Sequence, residues 1–302
     1  MFSVADELTA KARAMVSHPQ FSSALATHSL AMLELYKSTH SAGAQIARFL
    51  VNETARALIA NVCIYMDLDF DPSEPRFGLT LRKIQKICAD RGVASPGRVH
   101  AFLKMLQLSG YLDSIATSDK RFKLLRPGDK LRAYRLELMH SIYSALDHIA
   151  PERHYARRGA IPEVDNAVLR VSGKDFFGGL LLLDYHPDVK MFADRNGGYH
   201  FLLEILRQAH LFDGDHGGDA EVSISLNEVS GRSAVSRSHL RSILREAERR
   251  QLIAVEAGLG YRICIKAKLI AKFKEQVAVL LAYYGDIIDR RLDEPCPILF
   301  RD

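Results

Sequence analysis

The 302-residue chain lacks tryptophan, and its few cysteines, Cys63, Cys88, Cys264 and Cys296, lie far apart in the sequence. Because no two cysteines form a CxxC pair, the sequence indicates neither a disulfide framework nor a zinc site. Long hydrophobic runs are also missing: the apolar stretch at residues 180–183 is far shorter than the ~20 residues of a membrane-spanning helix. The N-terminus lacks the apolar core of a secretory signal peptide. We therefore expect a cytoplasmic protein with reduced thiols and no membrane partner.

Motifs of nucleotide, metal and nucleophilic chemistry are missing as well. The adjacent glycines of DFFGGLLLLDY belong neither to GxGxxG nor to a P-loop. His140, His148 and His154 are not three or four residues apart, so no pair is placed to share a metal. The loop at residues 213–219 lacks the final glutamate of an EF-hand. The sequence thus predicts no enzyme, no cofactor and no metal site.

The overall composition is ordinary for a globular protein that can build a sizeable core. Hydrophobic residues make up 48% of the chain and charged residues 25%. The net charge of +5 is a weak indication of an anionic partner, because many proteins have a similar balance. The positions of the basic residues therefore matter more than their number.

Two segments of the sequence share one pattern of apolar and polar residues. SPGRVHAFLKMLQLSGYL begins at Ser95 and SRSHLRSILREAERRQLI begins at Ser236, and the two align without a gap. In both, apolar residues recur at i, i+3, i+4 and i+7, which is one face of a helix. These residues are Val99, Phe102, Leu103 and Leu106 in the first copy and Leu240, Ile243, Leu244 and Ala247 in the second. A duplicated surface favours a partner with its own repeat, and duplex DNA is the leading candidate.

The elements around the two copies are predicted to follow the same order. Each unit has a helix, a short helix, a turn, the repeated helix, a two-stranded hairpin and a long closing helix. Thr80 and Ser225 are the predicted N-caps of the short helices, as Ser95 and Ser236 are of the repeated ones. The long helices are predicted over residues 21–37, 45–66, 130–149 and 267–291. We expect the long helices to pack together as a scaffold.

Three regions are predicted along the chain. Residues 1–150 would hold part of the helical scaffold and the first unit, whose core is residues 79–127. Residues 199–302 would hold the second unit, with its core at residues 224–266, and the last scaffold helix. Residues 151–198 contain several glycines and prolines, so they are predicted to form a linker of irregular structure.

LRKIQKICADRGVASPGRVHAFLKMLQLSGYL and LNEVSGRSAVSRSHLRSILREAERRQLI each resemble the winged-helix core of MarR-type transcriptional regulators. The resemblance implies a mainly α fold with small β-hairpin wings, built from tandem winged helix-turn-helix units on a helical scaffold. MarR-like regulators usually have one such unit per chain and pair through their terminal helices, whereas this chain has two. We therefore expect a fused pseudo-dimer, either as a monomer or as a homodimer.

The second repeated helix carries most of the candidate DNA-binding residues. An α-helix fits the major groove, where its N-terminal residues reach base edges. Arginines recur every four residues on the side of this helix away from its apolar face, as a phosphate-lined groove requires. The predicted DNA-binding residues of this unit are Ser236, Arg237, Ser238, His239, Arg241 and Arg245, together with Arg232 in the preceding turn.

The first unit distributes its basic residues differently. Its helix is less basic, but the tip of its hairpin is more so, whereas the second hairpin, EAGLGYR, has little positive charge. The predicted DNA-binding residues of this unit are Ser95, Arg98, His100 and Lys104 in the helix and Lys120, Arg121 and Lys123 in the hairpin.

The function predicted from these features is transcriptional regulation by sequence-specific binding of double-stranded DNA. Because the two units differ at most exposed positions, the chain is expected to read an asymmetric operator, whereas a symmetric homodimer prefers a palindrome. Two alternatives remain open: a plasmid-type replication initiator with two winged helices, and a winged-helix protein-interaction scaffold that does not bind DNA. The scaffold also leaves room for a small-molecule effector, which no residue identifies.

Overall fold

The computed structural model describes residues 4–37, 49–50, 52–71, 73–115, 123–212, 217–233, 235–257 and 260–294. Over these residues the chain is mainly helical, with one two-stranded and one three-stranded antiparallel sheet. This confirms the prediction of a mainly α chain with small β-hairpins. Within the same residues, every helix is too short or too polar to cross a membrane.

Among the described residues, the first part of the chain includes α1 (Val4–Val16), α2 (Phe21–Lys37) and α3 (Thr54–Asp67). The prediction of one helix over residues 45–66 is wrong, because a turn at Asn52 and Glu53 precedes α3. Glu53 has an extended backbone, with φ −156° and ψ 132°, which a continuous helix does not allow.

The first repeated unit continues with α4 (Leu81–Asp90), α5 (Pro96–Leu108), the hairpin strands β1 (Leu112–Ile115) and β2 (Leu124–Pro127), and α6 (Asp129–Ile149). Thr80 caps α4 as predicted, since its hydroxyl accepts a hydrogen bond from the Lys83 amide at 3.3 Å. Ser95 stands at the N-cap of α5, but its side chain makes no capping bond. Ahead of α4, Thr80 also forms an antiparallel bridge to Leu124, so a short third segment joins the hairpin.

Residues 151–198 are largely helical, so the prediction of an irregular segment is wrong. They form α7 (Tyr155–Gly159), α8 (Pro162–Phe177) and α9 (Pro187–Ala193). Pro162 and Pro187, two of the prolines that suggested a linker, occupy the first positions of α8 and α9, where the missing amide hydrogen costs nothing. Val168 and Leu169 of α8 are buried in the common core.

The second repeated unit consists of α10 (Gly198–Gln208), β3 (Ala220–Ile224), α11 (Leu226–Ser233), α12 (Arg237–Arg249), β4 (Ile253–Ala257), β5 (Tyr261–Ile265) and α13 (Ala267–Asp286). Strand β3 is an element beyond those predicted from the sequence, and the sheet order is β3-β5-β4. The predicted caps are present: the Ser225 hydroxyl accepts from the Glu228 amide at 3.4 Å and the Ser236 hydroxyl from the His239 amide at 3.2 Å.

The long helices pack on one another as predicted. Helix α2 lies along α6, α1 lies along α13, and α13 also contacts α6. The buried side chains of the scaffold and of both repeated units belong to one continuous core. The two units are therefore held on a common helical body.

Candidate nucleic-acid interface

Helix α12 has two chemically distinct faces. Its apolar positions Leu240, Ile243, Leu244 and Ala247 are buried, as the spacing predicts. The arginines at positions 237, 241, 245 and 249 are all exposed. The structure thus places the predicted basic face of this helix in solvent, on the side away from the core.

Three of these arginines, Arg237, Arg241 and Arg245, keep their charge free of any carboxylate among the described residues, and we call them the basic strip. Arg237 donates to the Asn227 side-chain oxygen at 3.0 Å, and the Arg241 Nε donates to the Tyr261 hydroxyl at 3.1 Å. Both acceptors are neutral, so these bonds orient the guanidinium groups without neutralising them.

The end of α12 is different, because its basic residues are paired within the helix. Arg249 and Arg250 each contact the Glu246 carboxylate at 2.7 Å. These hydrogen bonds lower the pKa of Glu246 to about 2. Unneutralised positive charge is therefore concentrated in the first two-thirds of the helix.

Arg232 forms an ion pair within its own unit. Its guanidinium lies 2.5 Å from the buried carboxylate of Glu204 on α10, which Arg207 also contacts at 2.8 Å. Burial alone raises the pKa of Glu204, but hydrogen bonds from Arg207 and Gln208 and the charge of Arg232 lower it to about 2. The structure therefore gives Arg232 a role in joining α11 to α10, although the sequence places it in the DNA-binding set.

The other polar residues at the start of α12 divide into two groups. Ser236 is the N-cap and lies 2.9 Å from the Ser238 hydroxyl, and both side chains are exposed. His239 is partly buried, and its Nε2 atom is 2.9 Å from the Asn196 backbone oxygen. His239 thus faces the interior of the molecule, although it was predicted to face DNA.

Helix α5 of the first unit presents a less basic surface. Ser95, His100 and Lys104 are exposed, while Arg98 pairs with Glu53 at the start of α3. In the hairpin, Lys123 is exposed just before β2. The predicted hairpin residues Lys120 and Arg121 lie outside the described residues.

A chain of polar contacts, which we call the Glu53 network, joins the two repeated helices. Arg98 of α5 donates to Glu53, and the Arg56 guanidinium lies 3.4 Å from the other Glu53 oxygen. Arg56 also donates to the Asn196 side chain at 2.9 Å, and Asn196 in turn is bonded to His239 of α12. Arg98 and His239 are each the third residue of their helix, so equivalent positions of the two units meet at this network.

The segments that precede α3 and α10 touch each other directly. The Gly197 amide donates to the Asn52 carbonyl at 2.8 Å, and the Asn52 side-chain amide donates to the Ser233 carbonyl at 3.3 Å. These contacts were not predicted, because each joins residues more than 140 positions apart and no local pattern marks them. They connect the two units at the same place as the Glu53 network.

No protein-family model matches the chain, and no curated protein or solved structure matches it either. Within the part of the chain that the structure describes, no group of three or more His, Cys, Asp or Glu side chains is arranged to hold a metal ion. The geometry of the candidate interface is a solvent-facing basic strip on one of two repeated helices, which the Glu53 network connects.

Proposed function

We propose that this chain is a transcriptional regulator that binds duplex DNA through two non-identical winged helix-turn-helix units. The order of elements supports this. In the second unit, a helix, a strand, two helices and a hairpin follow one another, and the strand pairs with the second strand of the hairpin. A helix-turn-helix with a wing has this order, and its second helix is the one that enters the major groove.

The first unit follows the same plan in reduced form. Its helices α3, α4 and α5 precede the β1-β2 hairpin, and the segment before α4 reaches the hairpin through the bridge from Thr80 to Leu124. The Leu125 amide also donates to the Leu79 carbonyl at 2.9 Å. This bridge corresponds in position to β3 of the second unit, which supports a duplicated origin of the two units.

The observation that carries the proposal is the basic strip on α12. Three arginines without a carboxylate partner among the described residues face solvent, outside the buried face of the helix. A solvent-facing guanidinium that no carboxylate neutralises is available to an external anion, and DNA phosphates and guanine edges are the anion and acceptor that arginine recognises best.

The two units would read different half-sites. Helix α5 presents Ser95, His100 and Lys104 where α12 presents the basic strip. The two helices would therefore bind different DNA sequences. The Glu53 network holds the two helices in one arrangement, which favours one spacing between half-sites. An asymmetric operator of constant spacing is therefore the expected target.

The test begins with selection of bound sequences from a pool of random duplexes, followed by affinity measurements on the selected site. Arg241→Ala and Arg245→Ala should each weaken binding by about 1–3 kcal/mol where the lost contact is to a base. Where it is to a phosphate, the slope of log K against log salt should fall by about 0.9.

Two control variants separate contact from structure. Tyr261→Phe removes the hydrogen bond that orients Arg241 but keeps the arginine, so it should cost less affinity than Arg241→Ala. Arg290→Ala removes an exposed arginine just after scaffold helix α13 and should leave binding unchanged. Wild-type affinity in both Arg241→Ala and Arg245→Ala would show that α12 does not contact DNA. Absence of duplex binding at low salt would favour the protein-interaction alternative, and selection of tandem direct repeats would favour an initiator.

A further inference from the structure

A cavity of about 490 Å³ lies between the scaffold helices and the first unit. Its wall is formed by side chains of α2, α3, α6, α8 and α13, by residues 180–184 and by the turn at residues 91–93, which follows α4. This volume falls in the range of roughly 300–1,000 Å³ that small-molecule sites occupy. The residues of α12 do not line the cavity, so it is separate from the basic strip.

Most of the wall is apolar. Four of its side chains come from four different helices and are only partly buried, which leaves apolar surface for an occupant to cover: Leu58, Leu138, Phe176 and Leu280. Removing such surface from water is favourable, and it is the main source of affinity in small-molecule sites. The wall therefore favours an occupant with a hydrocarbon or aromatic body.

The charged side chains of the wall do not balance one another. All of them except Arg91 lie within 4.0 Å of an oppositely charged group, and these pairs are Arg98 with Glu53, Arg135 with Asp165, and Lys190 with both Asp184 and Asp194. Arg91 has no carboxylate partner among the described residues. The wall thus contains one guanidinium whose charge is not neutralised.

Arg91 is held in place by neutral groups. Its guanidinium donates a hydrogen bond to the Phe177 carbonyl and lies 5.9 Å from the centre of the Phe177 ring. The guanidinium is also close to Gly179, since a Cβ added there would lie 3.9 Å from its Nη1 atom. These contacts place it beside the chain segment that leads into residues 180–184 of the wall.

The surroundings of Arg91 suit an anion. A carbonyl acceptor orients the guanidinium without neutralising it, and the group has further N–H donors besides the one that this bond uses. Arginine matches the two oxygens of a carboxylate or sulfonate with its planar fork. Because Arg91 is partly buried, its attraction for a bound anion is screened less than it would be in bulk water.

We propose that this cavity binds an amphipathic anion, whose apolar body lies between the scaffold helices and whose oxyanion pairs with Arg91. The proposal stands whether or not the chain binds DNA. It assigns a ligand site to the helical body of the protein, and neither the repeated helices nor the hairpins indicate such a site.

The probe for the test is 8-anilino-1-naphthalenesulfonate, which combines an apolar ring system with one sulfonate. Its neutral counterpart is N-phenyl-1-naphthylamine, which has the same ring skeleton without the sulfonate. Both fluoresce strongly in apolar surroundings, so both can be titrated against the full chain. We expect saturable binding of one sulfonate probe per chain.

Two arginine variants test the anion contact. Arg91→Gln removes the positive charge but keeps a neutral N–H donor. It should weaken binding of the sulfonate about ten-fold, as expected for the loss of a charge-assisted hydrogen bond, and should leave binding of the neutral probe unchanged. The matched control is Arg157→Gln, at an exposed arginine outside the wall, which should bind both probes as wild type does.

Two leucine variants locate the apolar body. Leu138→Trp fills the cavity and should abolish binding of the sulfonate probe. Leu136→Trp, at an exposed position on the same helix α6, should not affect it.

Each result decides the proposal. Absence of saturable binding by the sulfonate, or binding that survives Leu138→Trp, would overturn the cavity as the site. Wild-type affinity of Arg91→Gln for the sulfonate, or an equal loss of affinity for both probes, would overturn the pairing of the anion with Arg91. The two arginine variants decide this point even where Leu138→Trp fails to fold.

Discussion

Replacing Arg98 by alanine separates two roles for this residue. The sequence places Arg98 among the DNA contacts of the first unit, whereas the structure pairs it with Glu53. If Arg98 contacts DNA, the variant should bind DNA more weakly and with a smaller dependence on salt, while its stability should be unchanged. In the second role, it would lose stability, because a carboxylate that is only 6% exposed would lose one of its two cationic partners.

The size of the stability loss follows from the surroundings of the pair. Breaking a fully buried ion pair costs about 3–5 kcal/mol, and an exposed pair contributes about 0–1 kcal/mol. The Arg98 side chain is 49% exposed, and Arg56 still lies 3.4 Å from Glu53 after the change. We therefore expect Arg98→Ala to lower the free energy of unfolding by about 1.5 kcal/mol, an intermediate value.

The assay is urea unfolding of four proteins: wild type, Arg98→Ala, Glu53→Gln and the double variant. If the two side chains interact as the structure shows, the double variant should lose less stability than the sum of the single losses, by about 1 kcal/mol. The salt slope of DNA binding should be unchanged in Arg98→Ala. Additive losses, or an Arg98→Ala protein as stable as wild type, would refute the pairing with Glu53.

The remaining predictions concern the core and pH. The Glu204 carboxylate has its pKa lowered to about 2, so the stability it provides is complete above its ordinary pKa and is lost as the pH falls through about 4.5 towards 2. Urea unfolding of Glu204→Gln should therefore depend less on pH between 6 and 3 than that of wild type, and parallel curves would contradict this. Gly173→Ala should destabilise the protein by about 1–3 kcal/mol through overpacking, because an added Cβ would lie 2.2 Å from the Tyr65 ring. In contrast, Gly97→Ala in α5 meets nothing within 4 Å and should raise the melting temperature slightly; equal effects of the two changes would show that the ring gives way.

The elements that the sequence predicts best are those specified by local pattern. The start of α12 follows from the Ser236 cap, and its buried face from the spacing of Leu240, Ile243 and Leu244. Helix α5 is correct for the same reason. These signals are repeated in both units, so each supports the other.

The elements that were missed depend on less regular signals. Strand β3 alternates buried Val222 and Ile224 with exposed Glu221 and Ser223, a period of two that was detectable but short. The helices in residues 151–198 were hidden by prolines that begin helices where they were expected to break them. Reading Pro162 as a first helical residue would have revealed α8.

The candidate site was predicted in part. The basic strip was found from the sequence because exposure follows from the helical period. The intramolecular roles of Arg232, Arg98 and His239 were not, because Glu204, Glu53 and Asn196 approach them only through the tertiary fold. A basic residue near the N-terminus of a helix looks the same in sequence whether its partner is a phosphate or a buried carboxylate.

The hydrogen bond between Asn52 and Gly197 joins the two units inside one covalent chain. Two copies on separate chains dissociate on dilution, and the fixed spacing between the two units is then lost. Here the local concentration of one unit beside the other is set by the chain itself and does not change with the amount of protein. The paired arrangement of α5 and α12 should therefore be the same in a cell that contains a few molecules as in one that contains many.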